Sequence, residues 1–455
     1  MKKALTRYFL RKKILNPWVE KASTWKKPDW IIYLEEIFDK YKRTKWTKKY
    51  FPDLESYSYT DLDSYKVIRD YPEPPPDYPK YLEWKSSGTV KPKTIRLSRE
   101  DALGILKAVG RFAFDINAYF NVDRGLGIVS TEPFATATMI RVILEFFTKK
   151  SYTVSIFRID EYEKEIVNHG KYGAMITLVG FLMPLFKKII AKYDIFTDSP
   201  VIITSGETLT PSVFNAIYEY LAIWQKKPRT HNVYACAESG FIAASITEYN
   251  KLVYYPEVVG LRILTAENEL IDIFNAKKGV TGEAVITILR KILIPNYALG
   301  DIIRVEGQDP NGLPIIEVLG RKSRNITLDV PGLGLIEGLS GAVLRVAGAP
   351  LHTLAFDQVM AKLNVNYLII VDDYKLHAKF IIYTNKKINE EEFWAKMLED
   401  YRLAIWHENL KLGAVEFEFI TDQELIERYD ELVKKLVEER HSPKLPRIIV
   451  RRFDD

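Results

Sequence analysis

Apolar and polar positions follow two rhythms along this chain. Between residues 125 and 235, short β-rich runs are separated by stretches of helical period. Gly125–Ser130, Thr153–Phe157, Val201–Thr204 and Asn232–Ala235 read as strands. Stretches near 160–168 and 174–193, and Pro211 to about Gln225, read as helices. The 13-residue apolar run Ala174–Phe186 is too short to span a bilayer and contains Pro184, so a buried helix is expected there. Ser98 with Asp101 three residues later reads as a capping box opening a helix through about Phe112. Strands alternating with helices predict an α/β protein whose mixed, mostly parallel sheet is covered by helices.

Beyond about residue 321 the pattern changes to that of a small α+β domain. Pro331–Pro350 is glycine-rich and reads as a flexible linker with a close-packed turn, another phosphate loop being the alternative. A helix near 351–363 follows, then a hairpin over 366–384 turning at Asp372-Asp373. Next come a helix opened by Asn389 and Glu392, a strand over 414–420, and a helix opened by Thr421 and Glu424. Near the other end, Tyr71–Lys80 is proline-rich and expected to be an extended, stiff spacer, although such a run also suits an SH3-like partner. At 455 residues the chain exceeds one compact core, and it divides at this level into 1–85, 86–320 and 321–455.

Charge and composition narrow the function classes. The net charge of +5 is small for this length and argues against a dedicated nucleic-acid binder. Residues 1–85 hold 19 Lys and Arg against 13 Asp and Glu, which accounts for the whole excess. Trp18, Trp25, Trp30 and Trp46 interleave with these lysines; they read as the apolar face of helices, or as a stacking and phosphate surface. Arg7, Arg11, Lys12 and Lys13 interrupt any secretory apolar core at the N-terminus. A single cysteine, Cys236, excludes an internal disulfide and a multi-cysteine zinc site. The six histidines show no metal-ligand spacing. A cytoplasmic protein is expected, without membrane or nucleic-acid partners, with a homodimer as the assembly considered. Four glutamines and one cysteine beside many Lys, Glu, Ile and Tyr point to a thermophilic source.

The stretch Trp84–Ser98, WKSSGTVKPKTIRLS, carries the first candidate chemistry. Hydroxyls, the permissive Gly88 and two lysines ahead of a capped helix offer clustered donors and positive charge for a polyphosphate. A solvated turn before a capped helix accounts for the same letters. Neither GxxxxGK[ST] nor GxGxxG occurs. Ser86-Ser87-Gly88-Thr89 followed by Lys91-Pro92-Lys93 resembles the phosphate loop of the adenylate-forming ligases, the superfamily of acyl-CoA synthetases, luciferases and peptide-synthetase adenylation domains. Val90 stands at a hydroxyl position of that motif, and its second glycine is missing.

Further segments resemble the same superfamily in the same order. Ser205-Gly206-Glu207 resembles an adenine-lining Gly-Gly-Glu segment. Tyr234-Ala235-Cys236-Ala237-Glu238 resembles Tyr-Gly-x-Thr-Glu, which implies Tyr234 against adenine and Glu238 on magnesium. Tyr297-Ala298-Leu299-Gly300-Asp301 resembles Tyr-Arg-Thr-Gly-Asp, which implies that Asp301 accepts both ribose hydroxyls, although Ala298 replaces the arginine. Gly320-Arg321 resembles the hinge into a mobile C-terminal domain. Ser442 to Arg452 resembles the last segment of phenylacetate–CoA ligases, with Lys444 at the catalytic lysine and Pro443 replacing a glycine; an exposed basic tail reads equally well. The short lead-in before the loop resembles the phenylacetate–CoA ligase and auxin-amide synthetase branches.

The resemblance implies ATP, Mg2+ and CoA, a carboxylic acid activated as an acyl-adenylate with release of pyrophosphate, and transfer to CoA. It implies catalytic roles for Thr89, Glu238 and Lys444, and nucleotide contacts at Ser86, Ser87, Gly88, Thr89, Lys93, Gly206, Glu207, Tyr234, Ala235, Asp301 and Arg321. Transfer to an amine or amino acid, or a nucleotide-binding protein that has lost catalysis, are the alternatives. No covalent nucleophile is needed, and Cys236 reads as a small buried residue.

Overall fold

A computed structural model describes residues 11–85, 93–118, 122–129, 135–206, 209, 211–248, 250–321, 324–340, 343–347, 349–374, 377–399, 403–440 and 447–453. The chain begins with helices α1 (Asn16–Ala22), α2 (Lys27–Lys42) and α3 (Lys45–Tyr50). Their tryptophans turn inward. Trp18 meets Trp25 edge-on at 5.2 Å between centroids and Trp25 meets Trp30 at 4.7 Å, while Trp46 packs on Tyr78. Rings committed to one another in this way build a core, so the apolar-face reading of the four indoles holds over the stacking surface.

A hairpin of β1 (Leu82–Lys85) and β2 (Thr94–Leu97) then leads into α4 (Arg99–Asp115). The capping box is formed as expected. Ser98 Oγ accepts from Asp101 N at 3.2 Å, and Asp101 Oδ2 accepts from Ser98 N at 2.8 Å.

Five strands follow with helical crossovers: β3 (Val122–Val129), β4 (Thr148–Ser155), β5 (Tyr172–Leu178), β6 (Phe196–Ser205) and β7 (Arg229–Cys236). All pair in parallel, in the order β7-β6-β5-β3-β4, as the alternation predicts. The helices between them are α5 (Ala135–Phe147), α6 (Ile159–His169), α7 (Val179–Leu185) and α8 (Pro211–Ala222). On β3, an added Cβ at Gly127 would sit 2.9 Å from Leu144 and 3.0 Å from Ile140, so glycine lets α5 lie against the sheet. The run Ala174–Phe186 is not one buried helix. Its first half is the central strand β5, between β3 and β6, and only the second half is α7. A strand buried on both faces shows no alternation, so its apolar letters cannot be told from a buried helix by periodicity.

The same sheet continues with seven strands paired antiparallel: β8 (Gly240–Ser245), β9 (Leu252–Tyr254), β10 (Val259–Leu264), β11 (Leu270–Asp272), β12 (Thr281–Ile288), β13 (Ile294–Gln308) and β14 (Pro314–Arg321). Among the described residues this gives one twelve-stranded sheet, so the parallel arrangement is confined to the β3–β7 half. Strand β7 is the junction, parallel to β6 on one side and antiparallel to β8 on the other.

A second, six-stranded sheet is built from β15 (Arg324–Val330), β16 (Gly334–Ser340), β19 (Tyr367–Asp373), β20 (Ala378–Thr384), β21 (Val415–Thr421) and β22 (Ile448–Arg452). The short pair β17 (Val343–Val346) and β18 (Ala349–His352) lies between β16 and helix α9 (Thr353–Lys362). Helices α10 (Glu390–Glu399), α11 (Ala404–Lys411) and α12 (Gln423–Arg440) complete the smaller α+β domain. The apolar core of this sheet is continuous with the one covering the parallel strands, and Lys188 reaches Glu408 at 2.8 Å.

Three expectations for this region are corrected. The glycine-rich Pro331–Pro350 is largely strand rather than linker. An added Cβ at Gly338 would lie 2.6 Å from Val450 O, so glycine is what allows β16 to approach β22. Asp372 and Asp373 are buried strand residues, not a polar hairpin tip, because β22 runs alongside and Arg451 donates to Asp372 at 2.6 and 2.7 Å. Helix α12 is opened by Asp422, whose Oδ1 accepts from Leu425 N at 2.9 Å; Thr421 is the last residue of β21. Among the described residues, no helix is long and apolar enough to cross a membrane.

His231 on β7 sits at the junction with Nδ1 2.9 Å from the carbonyl of Ser245 on β8, and burial pushes its pKa down to about 4. The folded chain therefore holds His231 neutral where the unfolded chain, near 6.5, is protonated. The unfolded state binds the extra proton, so stability is complete above pH 7 and is lost on acidification toward pH 4. Denaturant titrations are expected to show about 2 kcal/mol less stability at pH 5 than at pH 7 from this group. His231→Asn should remove that part of the slope; an unchanged slope would refute the assignment.

Candidate active site

The chain reverses immediately after β7, and this reversal places the candidate chemistry. Residues 237–239 form the turn into β8, closed by Gly240 at φ +86°. A Cβ there would be strained and would meet Ile105 of α4 at 3.0 Å, so glycine permits the turn to close onto that helix. The turn carries Glu238, which is buried. The β1–β2 hairpin is pinned to it by Trp84, whose Nε1 donates to Ala237 O at 3.0 Å.

Lys93, directly before β2, reaches into the same space. Its Nζ lies 2.7 Å from Glu238 Oε1, donates to the Tyr297 hydroxyl, and sits 5.0 Å above the Tyr297 ring. These partners lie 145 and 204 residues away in sequence. Burial works against the lysine's charge, but the Glu238 carboxylate and the Tyr297 hydroxyl outweigh it and hold the ammonium above its ordinary pKa. Burial and the nearby Glu238 push the Tyr297 phenol up in turn, with Lys93 opposing.

Strand β13 supplies the other side. Gly300 takes φ +78° and the next residue, Asp301, is buried with Oδ2 accepting from the Tyr234 hydroxyl at 2.8 Å. Asp301 stands in register with Arg321 of β14. Upstream on β13, Asn296 and Ala298 bracket Ile68, which donates to Asn296 O at 2.8 Å and accepts from Ala298 N at 2.9 Å. This contact ties the residues just ahead of the proline-rich spacer to the site. Tyr71 of that spacer meets Tyr297 edge-on at 5.8 Å, and burial pushes its hydroxyl up to about 12.

Lys93, Tyr234, Glu238 and Asp301 therefore come together at the β7–β8 junction. The Cys236 thiol feels both Glu238 and Asp301, and burial raises its pKa to about 12. It stays a protonated thiol, 3.0 Å from Ser239 Oγ, although the residue as a whole is half-buried rather than buried. Ala235 is the penultimate residue of β7, and Gly206 directly follows β6 at φ +83°, where a Cβ would lie 2.8 Å from Leu178. Ser86, Ser87, Gly88, Thr89, Glu207 and Lys444 lie outside the described residues, as does the side chain of Arg321. Trp84, Tyr71 and Tyr297 belong to the site as supports. Arg290, between β12 and β13, is buried with Nε and Nη2 lacking hydrogen-bond partners among the described residues, and its charge reaches Tyr71. Nothing in the sequence around Arg290 marks it.

The arrangement offers a carboxylate and phenol at one end and an ammonium beside a second carboxylate at the other. The first pair suits vicinal hydroxyls, the second a polyphosphate with a hard cation. Among the described residues, no three His, Cys, Asp or Glu side chains gather as a metal cage.

No protein-family model matches the sequence, and no curated protein sequence matches it either. Solved structures do. A 2-hydroxyisobutyryl-CoA ligase in complex with 2-HIB-AMP and CoA, in its thioesterification state, superposes with TM-score 0.62 at 12% identity, over 94% of this chain and 91% of that one. The postadenylation state of that ligase with R3-HIB-AMP gives 0.54, again at 12% identity over 94% and 91%. Its open conformation gives 0.51 at the same identity and coverage. The chain thus has the adenylate-forming ligase fold, a large α/β part with a smaller C-terminal domain.

The Tyr234–Asp301 contact is testable by a double-mutant cycle. Tyr234→Phe and Asp301→Asn should each destabilise, and the pair should be non-additive by about 1 kcal/mol or more, as for a hydrogen bond to a charged group. Strict additivity in denaturant unfolding would show that hydroxyl and carboxylate do not interact.

Proposed function

We propose that this chain, with the fold of the adenylate-forming ligases, activates a carboxylic acid with ATP and then transfers the acyl group to CoA. The observation that carries this reading is the convergence of Lys93, Tyr234, Glu238 and Asp301 at one sheet junction. They come from three segments, with Tyr234 and Glu238 sharing one, that resemble three different nucleotide-contacting motifs of that superfamily.

In the first step a carboxylate oxygen of the acid attacks the α-phosphorus of ATP. The bond from that phosphorus to pyrophosphate breaks, leaving acyl-adenylate. In the second step the CoA sulfur attacks the acyl carbon, AMP departs with the bonding pair, and the thiol proton passes to solvent. Asp301 would accept the ribose hydroxyls and Tyr234 would lie against the adenine, between Ala235 and the Gly206-Glu207 segment. Ser86, Ser87, Gly88 and Thr89 would donate to the β- and γ-phosphates, Arg321 would sit at the hinge, and Lys444 would approach the developing charge. Lys93 and buried Arg290 would supply positive charge toward the phosphates, beside the carboxylates of Glu238 and Asp301.

Glu238 suits a magnesium ion, since Mg2+ is held by one or two carboxylates together with substrate phosphates rather than by an all-protein cage. When bound, the ion supplies charge neutralisation on the phosphates. Lys93 would then be free to turn from Glu238 toward those phosphates. In this reading residues 1–85 are a lead-in to the large domain, 86–320 the nucleotide-binding core and 321–455 the mobile C-terminal domain. The same reading takes the protein to be cytoplasmic, from a thermophile, and either a monomer or a homodimer.

Pyrophosphate–ATP exchange with a panel of carboxylic acids is the first test. Exchange with at least one acid, dependent on Mg2+, is expected. Asp301→Asn should raise the KM for ATP at least about tenfold, the scale of one charge-assisted hydrogen bond. Lys444→Ala should lower kcat for exchange by about 100-fold while leaving ATP binding in place. ATP binding without exchange for any acid would instead indicate a protein that has lost catalysis. Product formation with amines but not with CoA would redirect the second step to amide synthesis.

A further inference from the structure

Next to the junction, on the face of the parallel strands covered by α4 and α5, lies an apolar cavity that opens to solvent. Its roof is Ile105, Val109 and Phe112 of α4 with Ile140 and Leu144 of α5. Its floor is the sheet. Leu178, Ser205 and Ala235 form one end, at the carboxyl ends of β5, β6 and β7; Ala174, Val201 and Val122 form the other. The first end is therefore one residue from Gly206 and one from Tyr234. Among the described residues, no charged side chain lines the cavity, and hydroxyls come only from Ser205 and Thr148. Thr148 Oγ1 is already satisfied 2.7 Å from Leu144 O, which leaves Ser205, at the site end, as the hydroxyl nearest the chemistry.

We infer that the acid is an unbranched or lightly substituted apolar monocarboxylic acid, its tail lying in this cavity and its carboxylate at Ser205. This inference rests on the acid-activating reading above and names the substrate class that it left open. Ser205 to Val201 is four residues along β6, about 13 Å at the usual strand rise, which matches an extended acyl chain of roughly ten carbons. The width is set by backbone as well as by side chains. Gly125 and Gly127 bring β3 so close to α5 that added Cβ atoms would lie 2.6 and 2.9 Å from Leu144, so the roof cannot drop further without a clash. With every wall apolar, each buried methylene should add up to about fourfold in affinity. A hydroxyl or carboxylate on the tail has no partner there and should lose about 100-fold. Polar acids such as amino acids or hydroxy acids with distal polar groups are thereby disfavoured.

The test compares butanoate, decanoate and decanedioate in pyrophosphate exchange, together with calorimetric titration of decanoate into the intact chain, which requires no turnover. Preference for decanoate over butanoate by at least tenfold, with decanedioate at least 100-fold worse, is the expected result. Ala174→Leu fills the far end and should lower the decanoate-to-butanoate ratio at least tenfold; Val201→Phe serves if that variant does not fold. Equal or better turnover of short or polar acids, or loss for all acids alike in both variants, would overturn the inference while leaving acid activation standing. If no acid supports exchange, the acid-activating reading fails on its own. Decanoate binding by calorimetry, abolished by Ala174→Leu, would still support the cavity as a tail site. Absence of decanoate binding would mark it as a packing void and overturn the inference.

Discussion

One ammonium group, shared between a carboxylate and a phenol, holds the β7–β8 junction of this protein together. Lys93 joins the β1–β2 hairpin to the β7–β8 turn through Glu238 and to β13 through Tyr297. Burial alone would favour a neutral lysine, and the two partners reverse that preference. A half-buried cation compensated in this way is also an exchangeable one. A polyphosphate offers the same ammonium more negative charge than a single carboxylate does, so ligand binding and rearrangement of this contact are coupled by electrostatics rather than by any change of fold.

The contact sits where it does because the sheet changes character at β7. Parallel strands point all their carboxyl ends to one edge, and the antiparallel strands that follow bring β13 back to the same place. Gly240 permits the reversal and Gly300 precedes the aspartate, both at positive φ that L side chains adopt only with strain. The apolar cavity occupies the space that the parallel half leaves between its strands and α4 and α5. A polar end at the junction and an apolar trough beside it are what an amphiphilic acid requires, and both come from the same sheet.

Elsewhere, buried charge shows how context decides a residue's meaning. Asp372 and Asp373 are an ordinary turn pair by local chemistry. In the folded chain they are strand residues facing Arg451 and Arg452 on β22, with Asp372 in a two-point contact that compensates its burial. The run Ala174–Phe186 makes the same point for apolar residues, since a central strand and a buried helix use the same letters. The glycines of 331–350 serve close strand packing rather than looseness.

Local physics was sufficient for much of the design. The capping box at Ser98, four of the five parallel strands between 122 and 236, the crossover helices α6 and α8, the inward-facing tryptophans and the inert Cys236 follow from short-range periodicity, hydrogen-bonding capacity and composition. Candidate roles for Tyr234, Glu238 and Asp301 were visible as letters, because each lies in a short segment with its own recognisable chemistry. Their assembly was not. Partners separated by 145 residues for Lys93 and Glu238, and by 67 for Tyr234 and Asp301, are chosen by strand order, which no local pattern encodes. Tertiary structure alone decided that Tyr297 supports Lys93, that Arg290 is buried without a described partner, and that the trough beneath α4 and α5 stays apolar. Burial and charge compensation are properties of the space between elements, and that space exists only once the sheet has closed.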